Sequence, residues 1–279
     1  MGINRNKYLY YRKMTRFPDR ISRICLAAIL CLGWAGFALA EIKPYSARYS
    51  IYRNGQLTGK VEVRLHQQGE NWVIESEVSG THGLARILDA RDNEKVVGRI
   101  RDGRFMPDSY SRHTRLTGMD DLSTVNFDWD ARSVQIVRDK EKMTLDLGRE
   151  ALDPLSLKLE MRQRLSQQNP DMTFWLVDED EIKEQKFRIL KDERLETSLG
   201  CLKTTPVEKV RKNSKRYTRA WHAPGLDHVA VRIEHGKTGG NHMEMRITEL
   251  NLAGTAVPPQ QGCAAIQVAA DSVSDILDS

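Results

Sequence analysis

Apolar and polar residues alternate one by one through most of residues 45–250, and this period of two fixes the fold class. Tyr45, Ala47, Tyr49 and Ile51 alternate with Ser46, Arg48 and Ser50, and Val61, Val63 and Leu65 alternate with Glu62, Arg64 and His66. Trp72 and Ile74 open a third run, and Val125, Phe127 and Trp129 alternate with Asn126, Asp128 and Asp130. Val229, Val231 and Ile233 alternate with Ala230, Arg232 and Glu234, and Met243, Met245 and Ile247 follow. Successive side chains of a strand point to opposite faces, so each run has one greasy and one wet face. That pattern predicts antiparallel sheet covered on a single side. Asn54-Gly55 and Asp102-Gly103 supply the paired positive-φ residues that two-residue hairpins need. A sheet of about a dozen strands must curl or close to manage its edges.

One segment breaks the period. Asp153-Pro154 can cap and start a helix, because proline at the first helical position gives up an N–H that has no partner there. Leu155, Leu157, Leu159, Met161 and Leu165 recur at helical spacing until Asn169-Pro170. The predicted fold is therefore mainly β: antiparallel curved sheets forming an open or half barrel in two sets of strands, residues 41–150 and 171–252. One central amphipathic helix over residues 153–169 joins them and packs into the concavity. Residues 82–88 add a short second helix. Residues 253–279, with Pro258-Pro259 and no basic side chain, form a Pro/Ala-rich tail for which disorder and an amphipathic face of Ile266, Ala269, Val273 and Ile276 both stay open.

The first forty residues are an address. Seven basic side chains and a single acid precede the uncharged run from Ile24 to Phe37, and Ala38-Leu39-Ala40 precedes Glu41. This is the layout of a secretory signal peptide cleaved between Ala40 and Glu41, from Met1 or the more ordinary start at Met14. Fourteen residues of helix rise only about 21 Å, short of the roughly 30 Å of a bilayer core, so no membrane span is expected after cleavage. The formal charge of +5, from 43 basic and 38 acidic residues, falls to −1 once those forty residues are removed. Attraction to nucleic acid then has no support. Export, into the periplasm, also puts Cys201 and Cys263 in an oxidising compartment. A bridge between them and a free or intermolecular Cys263 both stay open.

No motif points to a reaction. His222, His228, His235 and His242 fall six or seven apart, which matches no metal-ligand spacing, so neither metal nor other cofactor is expected. Asp178-Glu179-Asp180-Glu181 lacks the glycine and the terminal glutamate of a calcium loop and reads as a solvated hairpin tip. Gly55 to Lys60 is one residue short of a phosphate loop and leads into a strand. Arg211, Lys212, Lys215 and Arg216 form a basic patch that suits anionic lipid, phosphorylated glycan or an acidic partner, or is only the wet turn of a hairpin. Trp129, Trp175, Trp221 and Leu159 on the helix are candidate ligand contacts, or ordinary core.

Tyr45 and Tyr49, Asn54-Gly55 with Gly59, Phe127-Asp128, Asp153-Pro154-Leu155-Ser156-Leu157, Trp221-His222-Ala223-Pro224 and Val231-Arg232-Ile233-Glu234 stand in the order of a known pattern. With its leader, the chain resembles the bacterial exported domain-of-unknown-function family 3108. The resemblance implies a mostly antiparallel β protein of the Gram-negative cell envelope with no established reaction. The expected function is non-catalytic binding or carriage of an apolar envelope ligand or lipoprotein. The alternatives are an envelope glycan or peptide hydrolase using Asp227, His222 and His228, and a scaffold docking to an envelope complex through the basic patch.

Overall fold

The computed structural model describes residues 42–264 apart from 140, 179, 213 and 214. The leader, its cleavage site at Ala40 and Glu41, and the chain from residue 265 lie outside the described residues. The first strand set comprises β1 (Tyr45–Arg53), β2 (Gln56–Gln68), β3 (Asn71–Gly80), β4 (Arg91–Arg101), β5 (Arg104–Leu116), β6 (Met119–Asp128), β7 (Ser133–Arg138) and β8 (Glu141–Asp146). The second comprises β9 (Thr173–Asp178), β10 (Glu181–Ile189), β11 (Glu193–Thr197), β12 (Gly200–Lys209), β13 (Arg216–Ala223), β14 (Val229–Lys237), β15 (His242–Leu252) and β16 (Thr255–Ala256). Helix α1 (Gly83–Ile87) lies between β3 and β4, and α2 (Pro154–Ser166) joins the two sets. Asn54-Gly55 and Asp102-Gly103 take positive φ at both positions, as their hairpins require.

The two sets form one sheet. Its order is β8-β7-β6-β5-β4-β3-β2-β1-β15-β14-β13-β12-β10-β9, with β11 beside β12 and β16 beside β15. Every neighbouring pair is antiparallel, and β1 holds β2 on one side and β15 on the other. The edges β8 and β9 share no ladder among the described residues, so the sheet stays open. The chain itself spans the gap. After β8 it crosses to the far edge, where the Leu152 N–H donates to the Trp175 carbonyl (2.8 Å) and the Val177 N–H donates to the Leu152 carbonyl (2.9 Å). This single parallel bridge is the only point where the two edges touch through the backbone among the described residues.

Helix α2 departs from the amphipathic pattern expected of it. Leu155 and Leu159 are fully buried, but so are the polar residues Ser156, Glu160, Arg162 and Gln163, and only Lys158 is exposed. A sheet curled around a helix leaves it no wet side, so its polar groups need protein partners. Gln163 Nε2 donates to the Gly103 carbonyl (2.5 Å), Arg164 Nε to Glu160 (3.1 Å) and Arg162 Nη2 to Asp227 (2.8 Å). Asp153 caps the first turn, accepting from the N–H groups of Leu155 and Ser156 and from the Ser156 hydroxyl.

The segment after β15 is tied to the sheet as far as residue 264, while Ile266, Ala269, Val273 and Ile276 of the tail lie outside the described residues. β16 extends the sheet, the Gln260 N–H donates to Leu199 (2.9 Å), and the Cys201 N–H donates to Gln261 (2.9 Å). Cys201 and Cys263 are disulfide-bonded across 62 residues. Removing a loop of that length from the unfolded chain's freedom stabilises by about 4 kcal/mol.

Gly98 shows how tightly the inner face packs. A Cβ there would lie 2.3 Å from the Trp72 ring and 2.4 Å from the Met106 carbonyl, and Trp72 is wedged edge-on against Phe105. Gly98→Ala is expected to cost about 1–3 kcal/mol in denaturant titrations. Gly148→Ala, whose Cβ would meet open space, should stay within about 0.5 kcal/mol.

Candidate functional site

Antiparallel connectivity sorts the turns between two ends of the sheet. The β2–β3, β4–β5, β6–β7 and β13–β14 connections lie at one end, together with both approaches to α2. There the open gap widens into a cleft of about 220 Å3. Phe105, Trp129, Leu152, Phe174 and Trp175 supply apolar walls, and Arg104, Arg149 and Arg164 stand around them with Glu150 and Glu160. The Trp129 indole N–H donates to the Pro107 carbonyl (2.8 Å) and its ring stacks on Phe127 at 5.6 Å. Both contacts fix the ring rather than leave it to rotate.

The arginines differ in what they already hold. Arg104 pairs with Glu150. Arg164 pairs with Glu160, donates to the carbonyls of Asp171 and Thr173 (2.9 Å each), and lies 4.3 Å above the Phe174 ring. Arg149 is exposed, lies 3.8 Å above the Trp175 ring, and has no carboxylate at ion-pair distance among the described residues. A guanidinium over an indole keeps its edge N–H groups for an anion while the ring face stays covered.

Of the sequence-derived contacts, Trp129 and Trp175 meet in this cleft. Trp221 and Leu159 do not. Both are core, and the Trp221 indole N–H donates to Glu193 (2.5 Å). Sequence reading missed Arg104, Arg149 and Arg164, because single arginines at the start of β5, after β8 and on α2 carry no local signal. The basic patch of Arg211, Lys212, Lys215 and Arg216 stands at the opposite end of the sheet, around the β12–β13 connection.

A second polar cluster lies inside. Arg162 donates to the Asp227 carboxylate and, from Nε and Nη2, to its backbone carbonyl (3.2 Å each), and its guanidinium lies 4.5 Å above the Tyr45 ring. The Lys43 N–H donates to the same carboxylate oxygen (2.8 Å). His222 is buried and its Nδ1 donates to the His228 carbonyl (2.8 Å), which fixes the proton on that nitrogen. Burial pushes the His222 pKa down to about 4. Asp227 thus engages Arg162 and Lys43 rather than a histidine, and His222 is held neutral by burial against the carbonyl that accepts its Nδ1 proton. This is a clasp tying α2 to the β13–β14 turn, not a base aligned on a nucleophile. Among the described residues no group of three or more His, Cys, Asp or Glu side chains is arranged around a metal position. No described helix is long and apolar enough to cross a membrane.

Residues 48–246 match the family described as protein of unknown function DUF3108. The chain belongs to that family. No curated protein sequence matches it. Among solved structures, a β-barrel-like protein of the DUF1849 family from Brucella abortus shares its fold, with a TM-score of 0.50 and 10% identity, covering 76% of this chain and 98% of that one. An exported protein with a YmcC-like fold from Bacteroides fragilis, so described provisionally, gives 0.35 and 12%, covering 75% and 96%. A provisionally described lipoprotein from Parabacteroides distasonis gives 0.34 and 12%, covering 75% and 95%. In this DUF3108 protein the likeness is therefore one of architecture, and the cleft has to be read from its own side chains.

The helix cap makes a measurable statement about pH. Burial raises the Asp153 pKa to about 6 against the hydrogen bonds that lower it. A folded-state pKa above the unfolded one gives stability that is complete below about pH 4 and lost as pH rises through 6. His222 runs the other way, stabilising above its ordinary 6.5 and losing that as pH falls toward 4. Asp153→Asn removes the first contribution only. Between pH 6.5 and 4 the variant should lose about 2 kcal/mol more stability than the parent, measured by urea unfolding at each pH.

Proposed function

We propose that this protein is a non-catalytic, exported binding module of the periplasm that takes one apolar group of a larger anionic envelope ligand, a lipid or lipoprotein, into the cleft between its sheet edges. The observation that supports this reading is the pair Trp129 and Trp175 facing a shared space, with Arg149 stacked on one ring and free of carboxylate partners among the described residues. Aromatic walls bind by area and shape, and a guanidinium at the rim selects a neighbouring carboxylate, phosphate or sulfate.

The size of the site limits what enters. Pockets that enclose a whole small molecule run to about 300–1,000 Å3, whereas this cleft holds about 220 Å3. Part of the concavity, which would hold a carried lipid in a hollow barrel, is occupied by α2 and its buried Leu155 and Leu159, and the space left on the inner face beside Pro154, between Tyr110, Val125, Ile136 and Val177, is about 180 Å3. The ligand therefore binds end-on, with one group inserted and the remainder outside. Of the residues of the alternative hydrolase reading, Asp227 is held by Arg162 and Lys43 and His222 Nδ1 by the His228 carbonyl, while His222 Nε2 and His228 Nδ1 have no hydrogen-bond partner among the described residues.

Anilinonaphthalene sulfonate, an aromatic group joined to an anion, is a suitable first probe. Titration should give one saturable site with energy transfer from tryptophan. Trp175→Ala and Arg149→Glu should each weaken it by about tenfold or more, equivalent to about 1.4 kcal/mol. Binding that does not saturate, or that neither substitution alters, would contradict the proposal.

A further inference from the structure

At the end of the sheet away from the cleft, the turns carry two features that the binding reading does not use. The five residues of α1 are all at least partly exposed, with Leu84 at 68% and Ile87 at 74%. A one-turn helix that buries none of its side chains is not there to complete the core. The second feature is charge. The β1–β2 turn, the β3–β4 connection, the β14–β15 turn and the ends of the β12–β13 connection bring Arg53, Arg86, Arg211, Lys212, Lys215 and Lys237 to this end, with Asp89 as the one acid, itself paired with Arg91.

Backbone hydrogen bonds lock these connections side by side. Thr81 and His82 donate to the Thr58 carbonyl (2.9 and 3.2 Å), Asn54 donates to His242 (2.8 Å), and Thr238 donates to Lys215 (2.9 Å). Each bond links one connection to the next, so apolar knobs and cations sit on a continuous, held platform. Leu57, Val210 and Met243 add further exposed apolar side chains along it. Behind α1 lies a recess of about 190 Å3 lined mainly by Ile51, Val78, Ala85, Ala90 and Leu116. The turns flanking the platform, with Asp120 and Asp121 on one side and Asp178, Asp180 and Glu181 on the other, are acidic and bound it.

From this combination we infer that the platform docks on an anionic phospholipid bilayer, with Leu84 and Ile87 inserted among the headgroups and the cations against the phosphates. A protein partner of ordinary affinity needs roughly 800 Å2 of complementary surface on each side, whereas protruding apolar tips ringed by Lys and Arg suit a fluid interface. Docked this way, the protein holds its tryptophan cleft at the end of the sheet turned away from the membrane.

The test uses the protein processed and purified from an exporting host, mixed with vesicles of phosphatidylethanolamine and phosphatidylglycerol or of phosphatidylcholine alone. It should sediment with the anionic vesicles, and raising the salt should weaken that binding by about tenfold or more. Leu84→Glu with Ile87→Glu, and separately Arg211→Glu with Lys212→Glu and Lys215→Glu, should each reduce binding by about tenfold. All five substituted platform residues are exposed or partly exposed, so a far-ultraviolet spectrum like the parent's is expected for both sets. No sedimentation with anionic vesicles at low salt, equal binding to phosphatidylcholine, or either set binding like the parent would overturn the inference. A photoreactive side chain at position 84 that labels protein instead of phospholipid in intact envelopes would also overturn it.

Discussion

The ladder between β1 and β15 is the contact on which the rest of the structure depends. It pairs the beginning of the described chain with its end, from Tyr45 opposite Leu252 to Arg53 opposite Met243, and turns two runs of hairpins into one sheet. A sheet that long has to curl, and curling encloses whatever connects the runs. That is α2. Its enclosure explains why Ser156, Glu160, Arg162 and Gln163 are buried and partnered, why the Asp153 cap is desolvated, and why Arg162 reaches Asp227 across the interior. It also bears on where a ligand has room, since α2 occupies part of the concavity and space remains at the cleft beside Trp129 and Trp175 and on the inner face beside Pro154.

Much of this fold was legible in the sequence because strand periodicity and turn chemistry are local. Asn54-Gly55 and Asp102-Gly103 announced their hairpins, and Asp153-Pro154 announced the helix start. Long-range contacts were not legible. Nothing in the pattern of β1 says that its second neighbour is β15, so the two strand sets read as separate sheets or barrel halves. The helix read as amphipathic because Leu155, Leu157, Leu159, Met161 and Leu165 recur at helical spacing, yet Arg162 is 3% exposed and held by Asp227, 65 residues away. The same limit applies to the cleft. Trp129 and Trp175 were visible as large aromatics, but so was Trp221, and only the sheet order separates the two in the cleft from the one in the core.

The two ends of the sheet differ in chemistry. One end gathers aromatic rings and arginines around a gap, and the other gathers exposed aliphatic tips and cations on cross-linked turns. Between them the wet face is laced with pairs such as Arg99 with Asp108 and Arg64 with Glu77. Individually, exposed pairs contribute little to stability, about 0–1 kcal/mol each. They keep the long outer face polar, leaving apolar surface concentrated at the ends.

Whether α2 is a permanent core element or a displaceable plug decides between end-on binding at the gap and carriage inside the sheet. Hydrogen exchange by mass spectrometry measures this directly, with and without a saturating ligand. Amides of α2 from Leu157 to Leu165 should be protected as strongly as those of β1 and β15, opening only with global unfolding, and ligand should leave them unchanged. Exchange in α2 that runs orders of magnitude faster than in β1, or that ligand accelerates, would contradict the account.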